Sequence, residues 1–390
     1  MSQKISTQII ALIFIFIFSS VQFLLILRHK SPYISDSYMY KHIFYELQGF
    51  SFDDARRKII DQIDFSKQDQ VVTNIFLNER VYNDAYGFFI KRPLYPLLAF
   101  LIYFPTQNEY LSLLFPQFLS YLGLIFLAYY FFKQKLKGFF VVFSTSLFVA
   151  FYPFLDWSTY FLTDTLGALF WFLQLYFIFK FLTMNDSKWL YFFLFTLVIS
   201  LLNREQSVLM LPFLAITAFL FKVYKFKNLK NNFSSTILIT FLGVVTFLLI
   251  STLTKQKNIL DTIIYTMNSY GFYNNAYSAS EILNFMLNAI IKAHIGFAKD
   301  LVSRHWWFVF FFLGSIKIFY TFIISKKPTL IDIIMLSSAV ASYLVIFLYP
   351  VLSYRFFFPV VISVIYFATF FISDFFQFSR AYKVKFPIVK

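Results

Sequence analysis

Asp36, in Ser35-Asp36-Ser37-Tyr38, stands just where the chain leaves its first long apolar segment. A carboxylate at that depth beside a membrane surface is partly desolvated and can take a proton as a general base. Asp164 lies inside the apolar run from Tyr160 to Phe181 with no basic neighbour in sequence, so it requires a partner from a distant segment. Arg92, Arg204 and Arg355 sit at the edges of apolar runs, and a guanidinium pairs bidentately with the oxygens of carboxylates and phosphates. Asp156, Glu205 and Arg304 complete this set of ionisable residues in apolar surroundings. Each has a structural alternative. Asp36 caps the helix that follows, Arg204 and Glu205 neutralise each other in a tight turn, Asp156 is solvated at an interface, and Arg355 snorkels to headgroups. His294 and His305 are isolated and lack metal-ligand spacing.

What must position these residues is a membrane bundle. Apolar residues make up 59% of the chain, Phe contributes 60 residues, and charged residues reach only 14%, against ~25% in an ordinary soluble domain. The formal charge of +15 comes from short basic clusters between apolar runs, which is the pattern of membrane-protein loops and not of a nucleic-acid surface. The absence of cysteine excludes disulfides and thiolate chemistry. The Phe excess accompanies heavy use of Asn, Lys and Ile, a compositional bias that carries no functional meaning.

Apolar runs long enough to span fall near 8–27, 111–132, 139–154, 159–181, 189–203, 206–221, 236–254, 305–324, 330–349 and 356–376. The first is a retained helix, since its apolar core is long and no small-residue cleavage site follows it. The expected fold class is therefore all-α, a polytopic transmembrane helical bundle of about ten to eleven spans. Lys133, Lys135, Lys137, Lys222, Lys225, Lys227, Lys230, Lys326, Lys327, Arg380, Lys383, Lys385 and Lys390 then share one side, whereas residues 28–92 balance ten basic residues with nine acidic ones. By the bias of Lys and Arg toward the cytoplasm, both termini lie inside.

On this topology the chain 1–390 is a single membrane domain, with extracytoplasmic loops at 28–110 and 255–303. Within the first loop, Tyr40, Phe44 and Leu47 recur at helical spacing before Gly49. Ser51-Phe52-Asp53-Asp54 resembles a capping box opening a second surface helix through Ile59, Ile60 and Ile63. Residues 93–105, bounded by prolines and short for a span, read as a re-entrant or interfacial helix, with an eleventh span as the alternative. A further helix is expected near Glu281 to Ala298. No Walker loop, dinucleotide glycine pattern, zincin motif or nucleophile elbow occurs, so any transferred group arrives already activated.

An early aspartate in the first outer loop, surface helices, the element Lys91-Arg92-Pro93-Leu94-Tyr95-Pro96 and many later spans together resemble the GT-C superfamily of integral-membrane glycosyltransferases. The resemblance lies in particular with the protein O-mannosyltransferases and bacterial aminoarabinose transferases. It implies a polyprenyl-phosphate sugar donor and transfer at the extracytoplasmic face of a bacterial inner membrane to a lipid, glycan or protein acceptor. It also implies Asp36 as catalytic base, and Lys91, Arg92, Arg204 and Arg355 as ligands of the donor phosphate. Thr163-Asp164, Glu205, Tyr354 and Tyr95 would line the site. The chain departs from the family pattern in having Ser37 where a second acid often stands, which leaves a divalent metal open and assigns no ligand. It also has Arg92 where proline is usual, and no soluble carboxy-terminal domain follows the last span. Two other activities fit the same elements: a lipid-linked glycan flippase or transporter, and a surface-polysaccharide polymerase or ligase.

Overall fold

A computed structural model of the chain describes residues 2–226, 277–347 and 353–385, together with 240–245 and scattered positions between 234 and 267. About half of the expected span 236–254 and most of the loop segment 255–276 lie outside the described residues, as do residues 348–349. Among the described residues there is no strand, and the protein is an all-α polytopic bundle. Among the described residues, seven helices are long and apolar enough to cross a membrane: Gln8–His29, Glu109–Lys133, Asp164–Met184, Glu205–Val223, Trp306–Ile324, Leu330–Phe347 and Phe358–Gln377. The expected segment 139–154 is a pair, α8 (Phe139–Val149) and α9 (Tyr152–Ser158), bent by 56°. Pro153 at the start of α9 explains the break, since it cannot donate the hydrogen bond that would continue α8. The helix α11 (Lys188–Asn203), at 16 residues, is shorter than a full span.

The remaining elements take the order α1 (Ser2–His29), α2 (Ser35–Leu47), α3 (Phe52–Ile60), α4 (Gln70–Leu77), α5 (Glu79–Phe89), α6 (Leu94–Thr106), α7 (Glu109–Lys133) and α10 (Asp164–Met184). After α11 come α12 (Met210–Val223), α13 (Ala279–Ser303), α14 (His305–Phe319), α15 (Leu330–Tyr343) and α16 (Phe358–Lys385). Aromatic rings fill the space between spans: Phe154 stacks on Phe148 at 4.1 Å and on Tyr121 at 5.0 Å at the α8–α9 bend. Where α14 crosses α16 the backbones nearly touch, because a Cβ at Gly314 would lie 3.1 Å from the Val364 carbonyl oxygen.

Segment 28–92 contains α2 and α3 where its sequence places helices, and two more, α4 and α5, that its sequence did not announce. Tyr40 and Phe44 of α2 are buried while Leu47 is exposed, and Gly49 ends the turn at φ +95°. Ser51 accepts from the Asp54 amide at 3.2 Å, opening α3. Phe44, Ile59, Phe76, Tyr82 and Phe89 then form a second apolar core over one end of the bundle. The late loop helix α13 begins with a capping box between Ser278 and Glu281.

Segment 93–105 is α6, which leaves α5 at a bend of 84°. Thirteen residues of helix measure about 20 Å, too little to cross a ~30 Å hydrocarbon core. Both of its ends return to α2: Arg92 donates to the Tyr40 hydroxyl at 3.3 Å, and Glu109 accepts from Tyr45 at 2.7 Å and pairs with Lys41. The residues flanking α6 on either side are thus tied to the same short helix. At the opposite end, the basic loops meet one another. Lys135 reaches Asp332 at 3.3 Å, Tyr366 donates to Asp332 at 2.6 Å, Lys317 pairs with Asp374, and Tyr224 donates to the Phe322 carbonyl at 2.7 Å.

The chain has no cysteine, so single cysteines report sidedness without background. Ile90→Cys and Tyr110→Cys, at exposed positions flanking α6, are expected to react with an impermeant maleimide from the same side of sealed vesicles, and Lys137→Cys from the other. Labelling of Ile90→Cys and Tyr110→Cys from opposite sides would mean that α6 crosses.

Candidate active site

Asp164 opens α10, and its carboxylate is only 3% exposed. An ion in that position is tolerated only with strong partners, and two are present. Arg204, at the turn after α11, donates Nη1 to Asp164 Oδ1, and Arg355 Nε lies 3.8 Å from the same oxygen. Arg355 in turn donates Nη1 to Asp36 Oδ2 at 3.0 Å. Side chains 36, 164, 204 and 355 thus form one continuous chain of charge. Asp36 is 29% exposed and Arg355 20%, so the network is open to solvent at the Asp36 end and closed at the Asp164 end.

Asp36 lies in the first turn of α2 but does not cap it. The cap is made by Ser37, whose hydroxyl accepts from the Ile34 amide at 3.2 Å, while the Asp36 carboxylate points to Arg355. Arg204 and Glu205 do not neutralise each other either. Glu205 turns to Arg92, with Oε2 2.9 Å from Nε, and to Lys91, with Oε1 2.6 Å from Nζ. Tyr40 joins the two groups: its hydroxyl accepts from Arg92 and lies 3.0 Å from the Thr163 hydroxyl. Burial pushes the Tyr40 phenol above its ordinary value, with Arg92 pulling against it, so it remains a donor at neutral pH.

The flat faces of the guanidiniums are covered by rings. Arg204 and Arg355 both lie over Phe356, at 4.6 and 4.8 Å, and Arg355 also lies 5.1 Å from the Trp157 ring centre. The loop bearing Arg355 is fixed from outside by Tyr354, which donates to Asp300, a residue that also accepts from Arg304 at 2.8 Å. Asn203 donates to the Thr163 carbonyl at 3.0 Å, and Gln206 to the Phe356 carbonyl at 3.3 Å. A cleft of about 20 Å³ remains between Asp164, Arg204, Arg355 and Gly167, enough for one water.

Of the residues singled out from sequence, Asp36, Lys91, Arg92, Asp164, Arg204, Glu205 and Arg355 come together. Tyr354 faces Asp300 instead, and Tyr95 stands behind Tyr40, with ring centres 5.8 Å apart and its hydroxyl donating to the Leu113 carbonyl. Asp156 is held by Lys30 at 2.6 Å, which ties the end of α1 to α9. Tyr40, Trp157 and Gln206 were not foreseen as polar or ring partners of the cluster. Tyr40 was within reach of sequence reasoning, because it is four residues after Asp36 on the same helix face.

Asp36 faces a guanidinium, Ser37 is buried and occupied as a cap, and among the described residues no three His, Cys, Asp or Glu side chains converge.

Fold and site together describe a polytopic membrane protein that gathers carboxylates and guanidiniums at one end of its bundle. The model of the dolichyl-phosphate-mannose-protein mannosyltransferase family matches residues 91–253, and this supports a membrane glycosyltransferase of the GT-C superfamily. The matched stretch contains Lys91, Arg92, Asp164, Arg204 and Glu205; Asp36 and Arg355 lie outside it. No curated protein and no solved structure matches the chain.

Removing one partner of a buried ion pair costs about 3–5 kcal/mol, against about 0–1 kcal/mol for an exposed pair. Asp164→Ala is therefore expected to lower the melting temperature of the detergent-solubilised protein far more than Asp36→Ala. Equal shifts for the two variants would contradict the gradient of burial along the network.

Proposed function

We propose that the protein transfers a sugar from a polyprenyl-phosphate donor to an acceptor hydroxyl at the extracytoplasmic face of a membrane, with Asp36 as general base. The observation that carries this reading is the contact of Asp36 with the Arg355–Asp164–Arg204 chain, since a proton acceptor and phosphate-binding cations must stand side by side for such a reaction. The family match adds a class of enzyme in which the donor named is a lipid-phosphate-linked mannose.

The step balances as follows. The acceptor oxygen forms a bond to the anomeric carbon, the bond from that carbon to the phosphate oxygen breaks with its electron pair leaving on the lipid phosphate, and the acceptor proton passes to Asp36. Attack from the face opposite the leaving phosphate inverts the anomeric centre. Arg355 is placed to stabilise the departing charge, because its Nη1 reaches the partly exposed Asp36 carboxylate while its Nε faces Asp164, 3.8 Å away, which keeps the guanidinium oriented. Lys91, Arg92 and Arg204 supply further positive charge, held in place by Glu205 and Asp164. No step requires a metal ion. The excess of Lys in the loops at the other end of the bundle supports the assignment of that end to the cytoplasm and of both termini to the inside.

A flippase or transporter would place its ionisable residues near the midplane, between repeated halves. The cluster here is at helix ends, which favours chemistry at a surface. A polymerase or ligase of surface glycans would share the donor class and the same base, and differs only in the acceptor.

Asp36→Asn preserves shape and removes the proton acceptor, so the variant is expected to fold, insert and lose activity by about 10²–10⁴-fold. The assay is transfer of labelled sugar from purified polyprenyl-phosphate sugar in detergent, with no ion gradient. Full activity of Asp36→Asn would remove Asp36 from the mechanism, and a requirement for sealed vesicles and a gradient would favour the transporter.

A further inference from the structure

The bundle carries a second feature at the end away from Asp36. Helices α12, α14 and α15 leave an apolar groove of about 520 Å³, walled by Phe219, Val223, Phe319 and Leu336, with Ser315 partway along and Tyr224 at its end. The Tyr224 hydroxyl closes that end by donating to the Phe322 carbonyl at 2.7 Å, where α14 loosens into a π-turn over Tyr320–Ile324. A groove so lined takes a hydrocarbon chain.

The residues that flank the groove's lining in sequence are rich in positive charge. Lys222 and Lys225 flank Val223 and Tyr224, while Lys326 and Lys327 follow the π-turn, and all four are exposed. Two of them, Lys225 at φ +56° and Lys326 at φ +51°, occupy the left-handed backbone region. Helix ends favour glycine or asparagine there, so lysine at both positions is a backbone cost accepted for the sake of the side chain. No acid offsets this charge locally: the sequence has no Asp or Glu between Glu205 and Asp261, nor between Asp300 and Asp332. Asp332 itself is engaged by Lys135, Thr329 and Tyr366. Lys317, the one other cation on this stretch of α14, turns to Asp374.

We propose that this groove is a binding site for one anionic phospholipid of the leaflet opposite the Asp36 cluster, its acyl chain against α12, α14 and α15 and its phosphate among the four lysines. The inference does not depend on the transferase reading, because no residue of the Asp36 network takes part.

The test is native mass spectrometry of the full chain released from mixed phosphatidylglycerol and phosphatidylcholine micelles. The wild-type protein is expected to retain one phosphatidylglycerol in preference to phosphatidylcholine. Neutralising the mouth with Lys222→Gln, Lys225→Gln, Lys326→Gln and Lys327→Gln together is expected to weaken retention at least about tenfold. Filling the groove with Ser315→Trp, or with Val223→Trp if the first variant melts early, is expected to do the same with the lysines intact. Retention of phosphatidylglycerol undiminished by either change, equal retention of phosphatidylcholine, or full displacement by inorganic phosphate would each overturn the proposal. The last result would mean that the lysines bind phosphate without the groove.

Discussion

Asp164 is the point on which the arrangement depends. A carboxylate almost wholly removed from solvent must be matched by cations brought to it, and both cations come from segments far away in sequence, the turn at Arg204 and the turn at Arg355. Their meeting fixes where α10 begins, where α11 ends and where α16 begins, so three helix ends share one plane. Pairing of this kind contributes little net stability compared with apolar packing, because desolvation offsets most of the Coulombic gain. What it supplies is register: a shift of one helix turn in any of the three spans would leave a buried charge unmatched.

The loop helices complete what the spans begin. Lys30 holds Asp156 where α1 leaves the bundle, and five residues later α2 starts with its first turn directed at Arg355. The far end of α2 is fixed by Tyr45 and Lys41 on Glu109, with Gln62 of the following loop donating to Tyr45 at 3.0 Å and accepting from Lys41 at 2.6 Å. Asp36 and Tyr40, one helical turn apart, then touch the two halves of the cation set, Arg355 on one side and Arg92 on the other. One short helix clamped at both ends thus carries both the candidate base and the link between the charged groups.

Much of this was legible in the amino-acid sequence, because hydrocarbon enforces its rules strictly. The apolar runs at 111–132, 330–349 and 356–376 became helices with boundaries close to those expected, and the isolated Asp164 correctly demanded distant partners. The identity of those partners was not legible. Adjacent opposite charges at Arg204 and Glu205 suggest a local pair, yet an extended Arg204, at φ −165°, sends the two side chains in opposite directions. Likewise Leu47 shares the spacing of Tyr40 and Phe44, yet packing buries those two and leaves Leu47 exposed. Helices α4 and α5 escaped notice because each is short, and their rings find partners only in the fold, Phe76 against Tyr38, and Tyr82 and Tyr86 against Phe52.

The gradient of exposure along the network bears on how a phosphate could enter. Arg204 and Asp164 are fixed in the interior and cannot reorganise cheaply, whereas the Asp36–Arg355 pair is partly hydrated and can exchange partners. An incoming phosphate that takes the exposed face of Arg355 would displace the Asp36 carboxylate while leaving the guanidinium aligned by Asp164 and by the rings of Phe356 and Trp157. The cation would therefore need no reorientation as negative charge develops on the leaving group, which is the condition under which electrostatic stabilisation is most effective. The same exchange would free the carboxylate to accept a proton only when the donor is in place. In this arrangement the counter-ion that keeps Arg355 oriented is a different residue from the one proposed as the base, and that separation is what the second aspartate, Asp164, provides.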